Sequence, residues 1–99
     1  MHTPIIGLAF RRYNDPTPFG VGLRVRLLHT YLIGQTGTGK TTLLQNLAWQ
    51  DARLGNGFCL IDPHGDLAES LHRNLDADHR YWEVADPACP FGYNPLKRV

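Results

Sequence analysis

A chain of 99 residues has room for one small domain and no more. Its composition, 42% hydrophobic and 19% charged, is ordinary for a soluble globular protein, and a net charge of +1 supplies no global basic field, so any DNA contact has to be local. No apolar run approaches the ~20 residues that span a membrane, and Met1-His2-Thr3-Pro4 lacks the basic and apolar regions of a signal peptide, so a cytoplasmic protein is the expectation.

The first elements in chain order are two alternating runs. Ile5 to Arg12 places Ile6, Leu8 and Phe10 on one face, and Val21 to Leu27 places Val21, Leu23, Val25 and Leu27 opposite Arg24 and Arg26. Asn14-Asp15-Pro16-Thr17-Pro18 between them is turn-rich. The expectation is a pair of antiparallel strands joined by a loop longer than a tight hairpin. Arg11, Arg12, Arg24 and Arg26 read as the solvated face of half-buried strands rather than as a phosphate-binding patch, because the overall basic balance of a nucleic-acid binder is missing.

Tyr31-Leu32-Ile33 is a short β-type run, and Gly34-Gln35-Thr36-Gly37-Thr38-Gly39-Lys40-Thr41-Thr42 follows it directly. This stretch fits G-x-x-x-x-G-K-S/T at every fixed position. Glycines let a backbone fold tightly around an anion, so that successive N–H groups and the start of the next helix point at phosphates. In that scheme Gly34, Thr36, Gly37, Thr38 and Gly39 form the cradle and Lys40 reaches the β and γ phosphates of ATP. The Thr41 hydroxyl binds Mg²⁺, which takes few protein ligands and keeps several waters, and Thr42 adds a second hydroxyl. Lys40 and Thr41 are thereby the candidate catalytic residues. A Gly/Thr turn that merely carries a lysine is the bland alternative, and the strand, loop, helix setting argues against it.

Leu43, Leu44, Leu47, Ala48, Ala52 and Leu54 recur at helical spacing to about residue 54, with Gly55 and Gly57 as a stop. Trp49 lies at the edge of that stripe and reads as packing. Phe58-Cys59-Leu60-Ile61 is continuously apolar, which predicts a strand covered on both faces, as in a parallel α/β sheet. Asp62-Pro63-His64-Gly65-Asp66 stands at its carboxyl end, where such sheets bind ligands. Asp62 is open to a nucleotide-side role or a turn role, and His64 to a phosphate contact or a place in the turn. Asp66, with Glu69 three residues on and Leu67, Ala68, Leu71 and Leu75 following, reads as a helix N-cap.

Asp76-Ala77-Asp78 is a loop and Tyr81 to Val84 a third candidate strand; from Asp86 to Pro95 the chain is turn-rich. Of the two cysteines, neither Cys59 nor Cys89 belongs to a C-x-x-C, and Cys59 reads as a buried reduced thiol. The five histidines, His2, His29, His64, His72 and His79, lack metal-ligand spacing, which argues against zinc.

The stretch from His29 through Leu44 resembles the phosphate-binding region of the HerA and FtsK class of P-loop ATPases, in particular the TraG-like and TraD-like DNA-pumping proteins of conjugative transfer and type IV secretion. Phe19-Gly20, Ile61-Asp62-Pro63-His64-Gly65-Asp66-Leu67, and Asp86-Pro87 through Phe91-Gly92-Tyr93-Asn94-Pro95-Leu96 agree with it. The resemblance implies an α/β, RecA-like P-loop core that assembles as a homo-oligomeric hexameric ring, hydrolyses ATP with Mg²⁺ and moves DNA, alongside secretion-system proteins. On this reading residues 1–29 are an N-terminal β-strand segment, and residues 30–99 are a partial ATPase domain whose phosphate loop is 34–42. Gly34, Gly37, Gly39, Lys40, Thr41 and Thr42 carry over from the family, and Asp62 matches a family position at the end of the second core strand.

Members of the class also carry, well downstream, an apolar strand that ends in paired acids. Here the only glutamates are Glu69 and Glu83, and neither ends such a strand. A sensor residue and an arginine finger are likewise not identifiable. Phosphoryl transfer draws nearly all its catalysis from positioning and electrostatics, so this chain alone is expected to bind ATP rather than hydrolyse it. It reads as the N-terminal part of a larger motor, incomplete before the acidic strand. Two alternatives stand beside this: a small P-loop kinase or GTPase-like switch using Asp62 as the Mg²⁺-side acid, and a non-catalytic nucleotide-binding interaction module.

Overall fold

The computed structural model describes residues 3–10 and 15–88, in which two strands pair and three helices form in the order β1 (Ile5–Phe10), β2 (Pro16–Gly20), α1 (Leu23–Arg26), α2 (Lys40–Arg53) and α3 (Asp66–Asn74). Arg11, Arg12, Asn14, Cys89 and the Phe91 to Leu96 segment lie outside the described residues.

β1 and β2 form an antiparallel ribbon, with Leu8 opposite Pro18, Phe10 opposite Pro16, and an irregularity between Ile5 and Gly7. The antiparallel pair is thus present, but its second strand is the proline-bearing segment expected to be loop. Proline removes a donor and is tolerated at a sheet edge, and a two-stranded ribbon consists only of edges. Val21 to Leu27, expected to be the second strand, instead contains the single helical turn α1. Leu23 and Leu27 satisfy helical as well as alternating spacing, and from this turn Arg26 reaches the ion pair described below.

α2 is the main helix. It begins at Lys40, directly after Gly39 at φ 95°, and ends in a left-handed glycine cap. The Gly55 N–H donates to the Ala52 carbonyl at 3.2 Å and the Asn56 N–H to the Asp51 carbonyl at 2.8 Å, the paired bonds that close a helix when a glycine takes positive φ. Gly55 does so at 74°.

The core is the seam between α2 and α3: Ala48, Leu67 and Leu71 are buried, with Leu60 and Leu75 packed against them. Gln45 Nε2 donates to Ser70 Oγ across the seam at 3.0 Å. Farther along, Trp49, Ala52 and Arg53 of α2 border one cavity with Leu75, Asp76 and Ala77, which follow α3. Contacts that advance together on both helices mean that α2 and α3 run parallel, so their N-termini emerge at one end. Beyond α3 the chain folds back: His72 Nδ1 and His79 Nε2 are 2.8 Å apart, and the Tyr81 ring stacks on His72 at 4.4 Å. β1 is tied to α2 by Gln50, whose side chain accepts from the Ile5 N–H and donates to the Ile5 carbonyl, both at 2.8 Å.

The remaining strand expectations are corrected. Tyr31–Ile33, Phe58–Ile61 and Tyr81–Val84 form no ladder among the described residues. Ile33 and Ile61 are 82% and 87% exposed. An apolar run becomes a strand only when another strand accepts its backbone groups, and the described chain offers none to these segments. Cys59 is accordingly exposed rather than buried, and Trp49, expected to be packed, is half-exposed with the Arg53 guanidinium 4.5 Å over its ring.

Candidate functional site

The loop that leads into α2 is shaped by its own residues. Gly37 and Gly39 have φ of 82° and 95°, the left-handed region that costs a side-chain-bearing residue about 1–2 kcal/mol. Thr38 Oγ1 donates to the Gln35 carbonyl at 2.6 Å, and the Thr38 N–H reaches the same oxygen at 3.3 Å. Gly34 is constrained differently: a Cβ there would lie 2.7 Å from Thr38 Oγ1, so that hydroxyl would have to move. Lys40 folds back over the loop and donates from Nζ to the Gly34 carbonyl and, at 2.7 Å, to the Gln35 carbonyl. An ammonium has three donors, so one is left over.

The start of α2 is open to an anion. Its N-cap Gly39 provides no side-chain hydrogen bond, and no acidic residue lies in the first turn. The N–H groups of Lys40, Thr41 and Thr42 therefore have no side-chain acceptor at the positive end of a 14-residue helix. Gly34 to Gly39, Thr41 and Thr42 are all exposed, with Lys40 half-buried among them. Thr36 makes no hydrogen bond among the described residues.

α3 presents the contrasting case, because its N-terminus is already occupied by a carboxylate. Asp62 Oδ2 accepts from the N–H groups of Leu67 at 2.9 Å and Ala68 at 3.1 Å, and Oδ1 from that of His64 at 3.1 Å. These bonds, the one from Ala68 foremost, hold the Asp62 carboxyl below the usual carboxylate range. Asp62 is therefore the cap of α3. Asp66, expected to cap, is instead the first helical residue after Gly65, which takes φ 87°, and its carboxylate accepts no hydrogen bond among the described residues. The sequence signal for this exchange is Asp62-Pro63, since Asp before Pro favours a turn closed by the aspartate side chain.

Because α2 and α3 are parallel, the Gly34–Gly39 loop and the 62–66 loop lie at the same end of the molecule. The cavity bordered by Trp49, Arg53 and Asp76, about 480 Å³, lies at the other end of α2, roughly 20 Å away at 1.5 Å per residue, and takes no part in this site. Arg26 and Arg24, weighed as phosphate contacts, are on α1, where Arg26 is committed to Asp51. Among the described residues no group of three or more His, Cys, Asp or Glu is placed to hold a metal ion. A Mg²⁺ here would depend on Thr41 and on phosphate oxygens, and the exposed Thr41 hydroxyl at the second position of α2 fits that use. No helix among the described residues is long and apolar enough to cross a membrane.

Set beside family models, curated proteins and solved structures, the chain matches none of them.

Proposed function

We propose that this chain binds ATP with Mg²⁺ through Gly34–Thr42 and is the nucleotide-binding segment of a DNA-translocating motor ATPase of the conjugative-transfer, type IV secretion or HerA-like class. One observation carries the nucleotide part. An uncapped N-terminus of a 14-residue helix is preceded by a loop with two left-handed glycines and a lysine folded over it. The exposed loop and helix start offer backbone N–H groups, the helix dipole and the spare donor of Lys40, a set of groups suited to a polyphosphate. Thr41 is the residue that would hold Mg²⁺, which when bound neutralises charge on the β and γ oxygens.

The DNA part rests on the likeness of the segments around Phe19-Gly20, Asp62–Asp66 and Asp86-Pro87 to the DNA-pumping ATPases, and with it come a hexameric ring and secretion-system partners. The kinase or GTPase-like alternative would have to draw its metal-side acid from Asp62, whose carboxylate already accepts the His64, Leu67 and Ala68 N–H groups at the start of α3.

Calorimetric titration of the chain and of Lys40→Ala with MgATP, together with phosphate release in the presence and absence of DNA, tests this reading. Lys40-dependent binding supports the nucleotide site, and turnover or affinity that responds to DNA supports the motor assignment. Binding without any response to DNA favours the interaction module, and no MgATP binding by the wild-type chain overturns the reading.

A further inference from the structure

Asn56-Gly57 is the one Asn-Gly pair in the sequence, and it follows directly on the glycine turn that ends α2. Asparagine is among the thermally labile residues, because the next backbone nitrogen can close a five-membered ring on its side-chain carbonyl carbon. Glycine in the next position obstructs that closure least, having no Cβ and a permissive backbone. The three described asparagines differ in whether this nitrogen is free. Leu47, after Asn46, lies inside α2, where its N–H is spent on the helix ladder, and the Leu75 N–H, after Asn74, donates to the Leu71 carbonyl at 2.9 Å. The exposed Gly57 N–H donates to nothing among the described residues.

We propose that Asn56-Gly57 is a site of spontaneous deamidation, and that its product loosens the lock between α2 and the N-terminal segment. The Gly57 nitrogen bonds to Asn56 Cγ as the Cγ–Nδ2 bond breaks. Solvent hydroxide takes the Gly57 proton, and the departing nitrogen takes one from water and leaves as ammonia. Water then opens the succinimide at either carbonyl, which leaves aspartate or isoaspartate at position 56. Both products put a carboxylate where an amide stood. That amide donates from Nδ2 to Asp51 Oδ1 at 3.1 Å, and the Asp51 side chain, 5% exposed, is already paired with Arg26. A second carboxylate there donates nothing and repels the first. The Asn56 N–H bond to the Asp51 carbonyl, at 2.8 Å, belongs to the same turn. Isoaspartate, which reroutes the chain through the former side chain, therefore disturbs the end of α2 as well.

The full folded chain, held in mildly alkaline buffer below its melting transition and sampled by peptide mass spectrometry, tests the site. Trypsin places Asn46, Asn56 and Asn74 on separate peptides. The Asn56 peptide is expected to exchange its amide for an acid severalfold faster than the other two, with isoaspartate among the products. Gly57→Ala should slow the exchange severalfold at unchanged Tm, since an added Cβ meets nothing within 4 Å and Gly57 does not take positive φ. Exchange at Asn56 only after unfolding in urea, an equal rate at Asn46 or Asn74, or an undiminished rate in Gly57→Ala overturns the site. Thermal melts of Asn56→Asp test the consequence: Tm is expected to fall by about 5 °C, and by less in Asn56→Ala, which removes the same donor without adding charge. An unchanged Tm in Asn56→Asp, or an equal fall in Asn56→Ala, overturns the loosening. Should Asn56→Asp fail to fold, the aged wild-type chain, separated from the unreacted form by anion exchange, gives the same reading; it should melt lower, and identical melts overturn the loosening.

Discussion

Arg26 of α1 and Asp51 of α2 form a two-point ion pair, Nη1 to Oδ1 at 2.8 Å and Nη2 to Oδ2 at 2.5 Å, with the Asp51 side chain 5% exposed. Asp51 also accepts from Asn56 Nδ2 at 3.1 Å, beside the glycine turn that closes α2. One buried carboxylate thus joins the N-terminal segment to the main helix and steadies the end of that helix.

Removing either member of this pair leaves a charge without its partner. Arg26→Ala is expected to destabilise the chain by about 3 kcal/mol, read as a lower midpoint in urea. Arg24→Ala, an exposed neighbour on the same helical turn, should change it by less than about 0.5 kcal/mol.

The pair also sets a pH dependence. The hydrogen bonds from Arg26 hold the Asp51 carboxyl below its ordinary range; burial opposes the shift, and the Asn56 bond adds to it. A depressed folded pKa means that the stabilisation is fully present above the unfolded value of about 3.9 and is lost as pH falls through the lower folded value. Arg26→Ala removes the main cause of the shift, so thermal melts below pH ~4 should show a smaller acid-induced loss in that variant than in the wild type.

Asp62→Ala deprives the His64, Leu67 and Ala68 N–H groups of their acceptor. α3 should fray from its N-terminus and Tm should fall by roughly 5 °C, the scale of a lost cap in a domain of this size. Circular dichroism and amide exchange at Leu67 and Ala68 read this out. Asp66→Asn should leave both nearly unchanged, because Asp66 caps nothing.

The loop glycines should respond to alanine in two distinct ways. At Gly37 and Gly39 nothing lies within 4 Å of an added Cβ, so each substitution costs only the conformational penalty of about 1–2 kcal/mol, and no second change nearby relieves it. At Gly34 the penalty is a clash with Thr38 Oγ1. Gly34→Ala should weaken MgATP binding, and Thr38→Ala in the same chain should restore part of it, which a double-mutant cycle by calorimetry would measure.

Gln50→Ala should release β1 from α2, since both backbone groups of Ile5 are held by that side chain. The expected cost is about 1–2 kcal/mol, with faster amide exchange at Ile5 and little change in MgATP affinity.

The elements that local chemistry decides were legible in the sequence. The glycines and lysine of Gly34–Thr42 shape a loop using atoms within seven residues of one another, and the leucine spacing with Gly55 sets both the course and the end of α2. The antiparallel N-terminal pair was legible as a pair, but its register was not, because Pro16 and Pro18 read as loop until the edge position that tolerates them is known.

Partners distant in sequence decided the rest. The turn at 23–26 is tied to an aspartate 25 residues beyond Arg26, and whether Tyr31–Ile33 or Phe58–Ile61 is a strand depends on neighbours that supply ladder hydrogen bonds. The exchange of roles between Asp62 and Asp66 followed from where the three N–H groups point. The sequence by itself determined a glycine-rich loop carrying Lys40 at the head of a helix, since backbone freedom and one lysine are local properties. Only the tertiary structure decided which acid remains free at that end, because a carboxylate is free or occupied according to the donors that the packed chain brings to it.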